Sequence, residues 1–320
     1  MYAYLNRDII NILAESNWEV EIVDIKIELG KKIRTFREQK KLSREAFCDD
    51  ELELTVRQLS RIESGESLPT LPKLTYISKQ LSIPISHLIN ENDIILPKRY
   101  IQLKMGLFKR PPQYSDAMKK MVEDTFEEIY KDYYETLPEE EQLLVDTAQA
   151  QNDVNLSKKI DFGEGILQDY FFQVRNKKEY SENDLLIVHL YFACCYYKPF
   201  ENQEFDTLVE KTLEQVNYSS EFGLIILNRI LITIIGLYIF SDRYDKILNI
   251  TQISNTIMKM RMDFHQKPII DMLEGKYWLH HNDLERANKK YNDAILLAQL
   301  HGEEQLSGKI KQEWEQDLNS

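Results

Sequence analysis

Residues 43–68 read SREAFCDDELELTVRQLSRIESGESL, and their polar and apolar spacing predicts two short helices joined by a polar turn. Ser43 is placed to cap the first helix, which carries Ala46, Phe47 and Cys48 on its buried side. Asp49 to Glu53 form the turn. Thr55 and Gln58 stand at the capping-box spacing S/T-x-x-E/Q, which marks the start of the second helix. Leu59 and Ile62 repeat at helical spacing, Arg57, Gln58 and Arg61 stay polar, and Gly65 lies just past the end. A helix that enters the major groove needs this pattern: an apolar underside on its own domain, and long donors near its N-terminus for base edges.

Working outward, residues 25–92 read as a domain of five short helices around this pair. Leu29, Ile33 and Phe36 mark the core face of the first, with Lys31, Lys32, Arg34 and Arg37 facing out. Residues 69–72 (PTLP) open a fourth helix with Leu74, Ile77 and Leu81 inside, and Pro84 opens a fifth that ends near Asn90. Residues 93–112 are the linker region, since three of the nine prolines fall between Glu91 and Pro112. Ahead of the domain, residues 1–24 place Tyr4, Leu5, Ile9, Ile10, Ile12 and Leu13 at the spacing of one amphipathic helix. That segment reads either as an interaction arm or as an extension before a domain that begins near Ile25.

Residues 113–301 read as helices separated by short polar turns. Residues 236–244 (GLYIFSDRY) return 40 positions later as residues 276–284 (KYWLHHNDL). Ala287, Tyr291 and Ala294 fit the second helix of a tetratricopeptide unit, where small residues let antiparallel helices approach closely. Residues 302–320 form a last helix with Ile310 and Trp314 on one face, suited equally to capping the final repeat and to pairing with a second chain. The expected fold is all-α: a helix-turn-helix domain followed by a tetratricopeptide-like α-solenoid.

Composition agrees with that division. The 320 residues suffice for two cores, and ten glycines with nine prolines favour long helices over a turn-rich β fold. The net charge of −13 opposes a generic polycationic grip on nucleic acid, yet residues 26–90 hold twelve Lys/Arg against nine Asp/Glu. Cys48, Cys194 and Cys195 give no disulfide framework and suit buried reduced thiols. The longest apolar run, Gly223 to Phe240, is interrupted by Asn228 and Arg229, so no membrane span is expected. The N-terminus lacks a basic region followed by an apolar core, and a cytoplasmic location is expected. Gly163 and Gly165 lack the preceding strand of a phosphate loop, and no nucleophile with an ordered base emerges. His280 and His281 point apart on a helix, so neither metal, cofactor nor enzymatic activity is expected.

On this reading Arg57 and Gln58 are the base readers, since Arg grips guanine O6/N7 and Gln adenine N6/N7. Ser43, Arg44, Ser60 and Thr70 are candidates for phosphate contact. Arg61 and Glu63 are either interface residues or ties to Arg34 or Arg37 on the first helix. Glu139, Glu140 and Glu141 follow Pro138, where acids complement the dipole of a helix start. Asn228, in an otherwise apolar helix, needs partners, either a neighbouring helix or peptide backbone in a groove. Arg110, Phe171, His189, Arg229 and Lys267 are further groove candidates, cations for a peptide carboxylate and rings for its apolar side chains.

Residues 43–45 (SRE), 61–65 (RIESG) and 69–71 (PTL) resemble phage-repressor-like helix-turn-helix domains. With a helical-repeat body behind it, the chain resembles the Rgg group of cytoplasmic peptide-pheromone receptors, and within it the streptococcal competence regulators. The likeness is carried by residues 54–59 (LTVRQL), 137–143 (LPEEEQL), 160–170 (IDFGEGILQDY), 267–269 (KPI) and 292–300 (NDAILLAQL), and residues 1–24 fall outside it. The resemblance implies a transcriptional activator whose repeats bind a short hydrophobic, Trp-containing signalling peptide. It also implies a monomer without peptide, in which one of Glu139, Glu140 and Glu141 latches Arg57. Peptide would release a homodimer, formed through the C-terminal helix with Ile310 and Trp314, onto an inverted repeat in double-stranded DNA. A peptide-responsive repressor, another Rgg-type regulator, and an interaction scaffold without DNA binding are the other readings. The turn is about one residue longer than the repressor pattern, and residues 49–53 (DDELE) lack its customary glycine.

Overall fold

The helical periodicities and caps read above are realised in a computed structural model that describes residues 26–88, 96–109 and 116–319. Ile25 and the extension before it, and Arg110, lie outside the described residues. Two compact units are present. The described part of the first comprises residues 26–88, 96–104 and 126–145; that of the second, residues 105–109, 116–125 and 146–319. Among the described residues there is no strand, only an isolated parallel bridge between Leu68 and Pro138.

In the first unit, α1 (26–39), α2 (Arg44–Cys48), α3 (Val56–Glu63) and α4 (Leu71–Leu81) enclose Leu29, Ile33, Phe47, Leu54, Leu59, Ile62, Leu74 and Ile77. Both helix starts are built as their caps require. Ser43 Oγ accepts from the Ala46 N–H, and the Thr55–Gln58 capping box is closed in both directions. The turn between them holds Asp49 at φ 53° and Glu51 at φ 58°, so two acidic residues adopt the left-handed backbone that glycine ordinarily supplies. Three expectations are corrected here. Ala46 is exposed, because α2 is only five residues long and spends its inward positions on Phe47 and Cys48. Arg37 is buried at 6% exposure rather than outward, because Glu63 receives it. Among the described residues the fifth helix is a single 3₁₀ turn, Ile85–His87, and Asn90 lies outside them.

The stretch read as a linker carries a helix of its own, α5 (Lys98–Lys109). It is followed by α6 (Asp116–Asp132) and α7 (Glu139–Ser157). The unit boundaries fall within these three helices, and residues 126–145 belong with the first unit.

The second unit continues with α8 (Asp161–Ile166), a π-helical turn (Leu167–Phe171) and α9 (Phe172–Asn176). Then come α10 (Glu182–Cys194), α11 (Asn202–Glu214), α12 (Glu221–Phe240) and α13 (Ile247–Arg261). Finally α14 (Lys267–His280), α15 (Leu284–Leu300) and α16 (Glu304–Asp317) close the chain. Helices α12 to α16 pack each on the next, and α10, α12 and α14 also pack in series, the arrangement of stacked helical hairpins. The repeat residues explain how α15 lies against α14. Ala287, Tyr291 and Ala294 are fully buried, and a Cβ on Gly275 of α14 would lie 2.8 Å from the Tyr291 ring. Helix α12 is long and apolar enough to cross a membrane, yet 67% of its apolar window is buried against neighbouring helices, as in a core helix.

Gly30 lets α1 lie against α3, since a Cβ there would sit 2.3 Å from the Ile62 carbonyl oxygen of α3. Gly30→Ala is expected to push α1 off α3 and lower stability by about 1–3 kcal/mol, read as a lower denaturant midpoint.

Candidate functional site

The candidate reading face is the capped end of α3. Arg57 is exposed on its first turn, whereas Gln58 is only 3% exposed and committed elsewhere. The Gln58 side-chain oxygen accepts from the Thr55 N–H at 3.0 Å and from the Lys73 ammonium of α4. Capping and base reading compete for the same amide, so the structure places Gln58 inside and Arg57 outside. Ser43 is exposed, and Arg44, Ser60 and Thr70 are half-buried around the helix.

Beneath that face lies a charged clamp. The Glu63 carboxylate accepts from Arg37 Nε at 2.6 Å, Arg37 Nη2 at 3.0 Å and Arg44 Nε at 2.8 Å. Arg37 Nη1 also donates to the Leu42 carbonyl at 2.6 Å. Of the two roles open to Glu63 and Arg61, Glu63 takes the structural tie, to Arg37 rather than Arg34. The bidentate pair is charge-assisted and fills the acceptor positions that burial would otherwise leave empty.

Arg61 turns instead toward the first turn of α7. Its Nη2 donates to Gln142 Oε1 at 3.3 Å and its Nη1 lies 3.8 Å from Glu139 Oε1. Lys73 pairs with Glu140 at 2.9 Å. Glu141 accepts from Tyr100 Oη at 2.5 Å and from Lys104 Nζ at 2.9 Å. The Glu139 N–H donates to the Leu68 carbonyl at 2.9 Å. The three acids therefore meet three different surroundings, and Arg57 adds its positive charge to the field at Glu139. Lys73, Gln142, Tyr100 and Lys104 escaped the sequence reading; an ordinary Lys behind Pro72 carries no sign that it is 8% exposed.

In the second unit, Asn228 donates to Gln266 Oε1 at 2.6 Å and accepts from Ser254 Oγ at 2.5 Å, so neighbouring helices satisfy its amide. Arg229 Nη1 donates to the Leu107 and Phe108 carbonyls at 3.4 and 3.2 Å, serving the last turn of α5, where carbonyls lack helical partners. His189 Nε2 meets Thr233 Oγ1 at 2.9 Å, and burial, followed by the charge of Arg229, holds its pKa down to about 3. Lys267 pairs with buried Asp271 at 2.5 Å. Phe171 lies apart from these. It stacks on Tyr191 at 4.4 Å with 8° between planes, lining a cavity of ≈ 340 Å³ with Arg175, Glu204 and Lys211. In α16, Ile310 is buried and Trp314 stacks on Tyr291 at 4.4 Å, so both residues pack on the preceding hairpin. Among the described residues, no group of three or more His, Cys, Asp or Glu is arranged to hold a metal ion.

A capped recognition helix with an exposed arginine, joined to stacked helical hairpins, defines a helix-turn-helix protein with a tetratricopeptide-like body. Residues 33–88 match the helix-turn-helix family and residues 97–314 the ComR tetratricopeptide family. The chain belongs to the ComR family. It is similar to ComR from Streptococcus suis, with 34% identity and a TM-score of 0.76 over 91% of this chain and 96% of that one. The apo form of ComR from S. thermophilus gives 32% identity and a TM-score of 0.78 over 91% of this chain and 99% of that one. ComR from S. thermophilus in complex with DNA and its signalling peptide ComS gives 32% and 0.66 over 90% and 99%. No curated protein sequence matches the chain.

Two variants test these sites. Glu63→Ala strands the buried Arg37 charge and is expected to cost about 3–5 kcal/mol, whereas Glu66→Ala at the exposed end changes stability by less than about 0.5 kcal/mol; denaturant unfolding distinguishes them. The depressed His189 pKa gives a stability contribution present above pH 6.5 and lost as pH falls toward about 3. His189→Gln is expected to remove about 1.4 kcal/mol per pH unit of the acid-side decline, measured as the difference between wild-type and variant unfolding at pH 6.5 and 4.5.

Proposed function

We propose that this chain is a peptide-responsive, DNA-binding transcriptional activator of competence genes, working in the cytoplasm. The observation that carries the reading is the exposed Arg57 on a capped recognition helix, in a chain similar over nine-tenths of its length to a ComR solved with DNA and its signalling peptide. The role is regulatory rather than enzymatic. Arg57 reads a base edge, and Ser43, Arg44, Ser60 and Thr70 hold phosphates beside it. Gln58, buried as a cap, stiffens the helix start and reaches a base only if Lys73 and the cap release it.

Residues 137–142 act as the restraint. Their contacts to Arg61 and Lys73 hold the N-terminal turn of α7 on α3 and α4, with Glu139, Glu140 and Glu141 as its acidic side. A short hydrophobic peptide bound by the repeats favours the released state by its differential affinity. Its contacts are Phe171 and Lys267, with Arg110 for its carboxylate, while Asn228, Arg229 and His189 hold the repeat helices that form the groove. The chain is a monomer before peptide, and the released form pairs as a homodimer on an inverted repeat through the outer face of α16, whose inner face Ile310 and Trp314 seat on the preceding hairpin.

The test is binding to a labelled promoter fragment of a competence sigma-factor gene, with and without a Trp-containing peptide. A shift that needs peptide supports the reading. Arg57→Ala should weaken it about 5- to 150-fold, since one bidentate base contact contributes about 1–3 kcal/mol, and Glu140→Lys should bind without peptide. No shift with or without peptide leaves an interaction scaffold, and an Arg57→Ala chain that retains wild-type affinity removes Arg57 as the base reader. Peptide that weakens binding reverses the sign to a repressor.

A further inference from the structure

The Glu139 carboxylate is buried without a hydrogen bond. It is 1% exposed, and neither carboxylate oxygen has a donor. Four charged groups bear on it: Arg57 and Arg61 from α3, Lys73 from α4, and Glu140 beside it on α7. Two of the cations are visibly engaged elsewhere. Lys73 serves Glu140 and Gln58, and Arg61 serves Gln142 and approaches Glu66 at 3.7 Å. Arg61 Nη1 lies 3.8 Å from Glu139 Oε1, beyond a hydrogen bond. Burial therefore dominates the attraction of the cations, and Glu140 adds to it, lifting the Glu139 carboxyl to about 7.

We infer that Glu139 makes the docking of residues 137–142 on α3 and α4 proton-dependent, held when the carboxyl is neutral and loosened when it ionises. This rests on the reading of that contact as the restraint on DNA binding. The sign follows from linkage. Lifted into water, Glu139 returns toward 4.5, so the docked state binds the proton more tightly than the lifted one. Docking is strongest below pH 4.5 and weakens as pH rises to about 7, where this group has no more to lose. A single proton of this kind changes the opening constant about twentyfold between pH 5.5 and 7.5.

Hydrogen exchange on the full chain reads the docking directly, through the Glu139 amide that donates to Leu68. Protection over residues 137–143, corrected for the intrinsic pH dependence of exchange, should fall about twentyfold in the wild type across that range. Glu139→Gln, or Glu139→Met should the first variant fold poorly, should be flat, and Glu140→Gln should keep the slope. A flat wild-type profile, or a slope that survives at Glu139→Gln, overturns the inference. The same proteins are then titrated, at both pH values, with a duplex selected by the wild type from a random pool. Affinity that rises with pH only when Glu139 is present supports both readings. A Glu139-dependent exchange slope with pH-independent DNA affinity keeps the proton-dependent docking and removes the restraint.

Discussion

The Glu63 carboxylate sits at the end of α3 and is shared by Arg37 of α1 and Arg44 near the start of α2. Three charges taken from water are costly, and they persist here because the fork of Arg37 and the single bond of Arg44 occupy the carboxylate lone pairs. The clamp fixes how α2 and α3 cross, and therefore the direction in which Arg57 leaves the domain. Gly30 serves the same end by letting α1 lie against the Ile62 carbonyl. With two left-handed acidic residues in the turn, long-range packing and not turn chemistry sets the angle between the helices.

The first turn of α7 shows how helix geometry separates residues of one type. Consecutive positions point about 100° apart, so Glu139 turns to the buried side of the docked segment, Glu140 to Lys73 and Glu141 to Tyr100 and Lys104. A run that reads as three equivalent charges is two ion pairs and one unsatisfied buried carboxylate. The dipole at the helix start favours all three, but only the surroundings distinguish them.

The helical repeats solve a different problem. An apolar helix such as α12 must place Asn228 and Arg229 without leaving a buried polar group empty. Ser254 and Gln266 answer the amide, and the end of α5 answers the guanidinium. Polar residues in this body thus join helices distant in sequence. On α16, the stacking of Trp314 on Tyr291 is reinforced by Lys276, which holds Asp317 at 2.7 Å and Glu313 at 2.7 Å.

The class of fold, the caps at Ser43 and Thr55, the core stripes of α3 and α4 and the repeat positions Ala287, Tyr291 and Ala294 were determined by sequence, because each depends on neighbours within a few residues and on a fixed helical period. The family, too, was legible in short runs of residues spread along the chain. Tertiary structure alone decided that Arg37 is buried while Arg57 is exposed, that Gln58 serves Lys73, and that Phe171 lies with Tyr191 and not with Asn228. These pairs are separated by up to dozens of positions and depend on which charge finds a partner once helices pack. Periodicity places a side chain on a face, but the group opposite that face is supplied by another part of the chain.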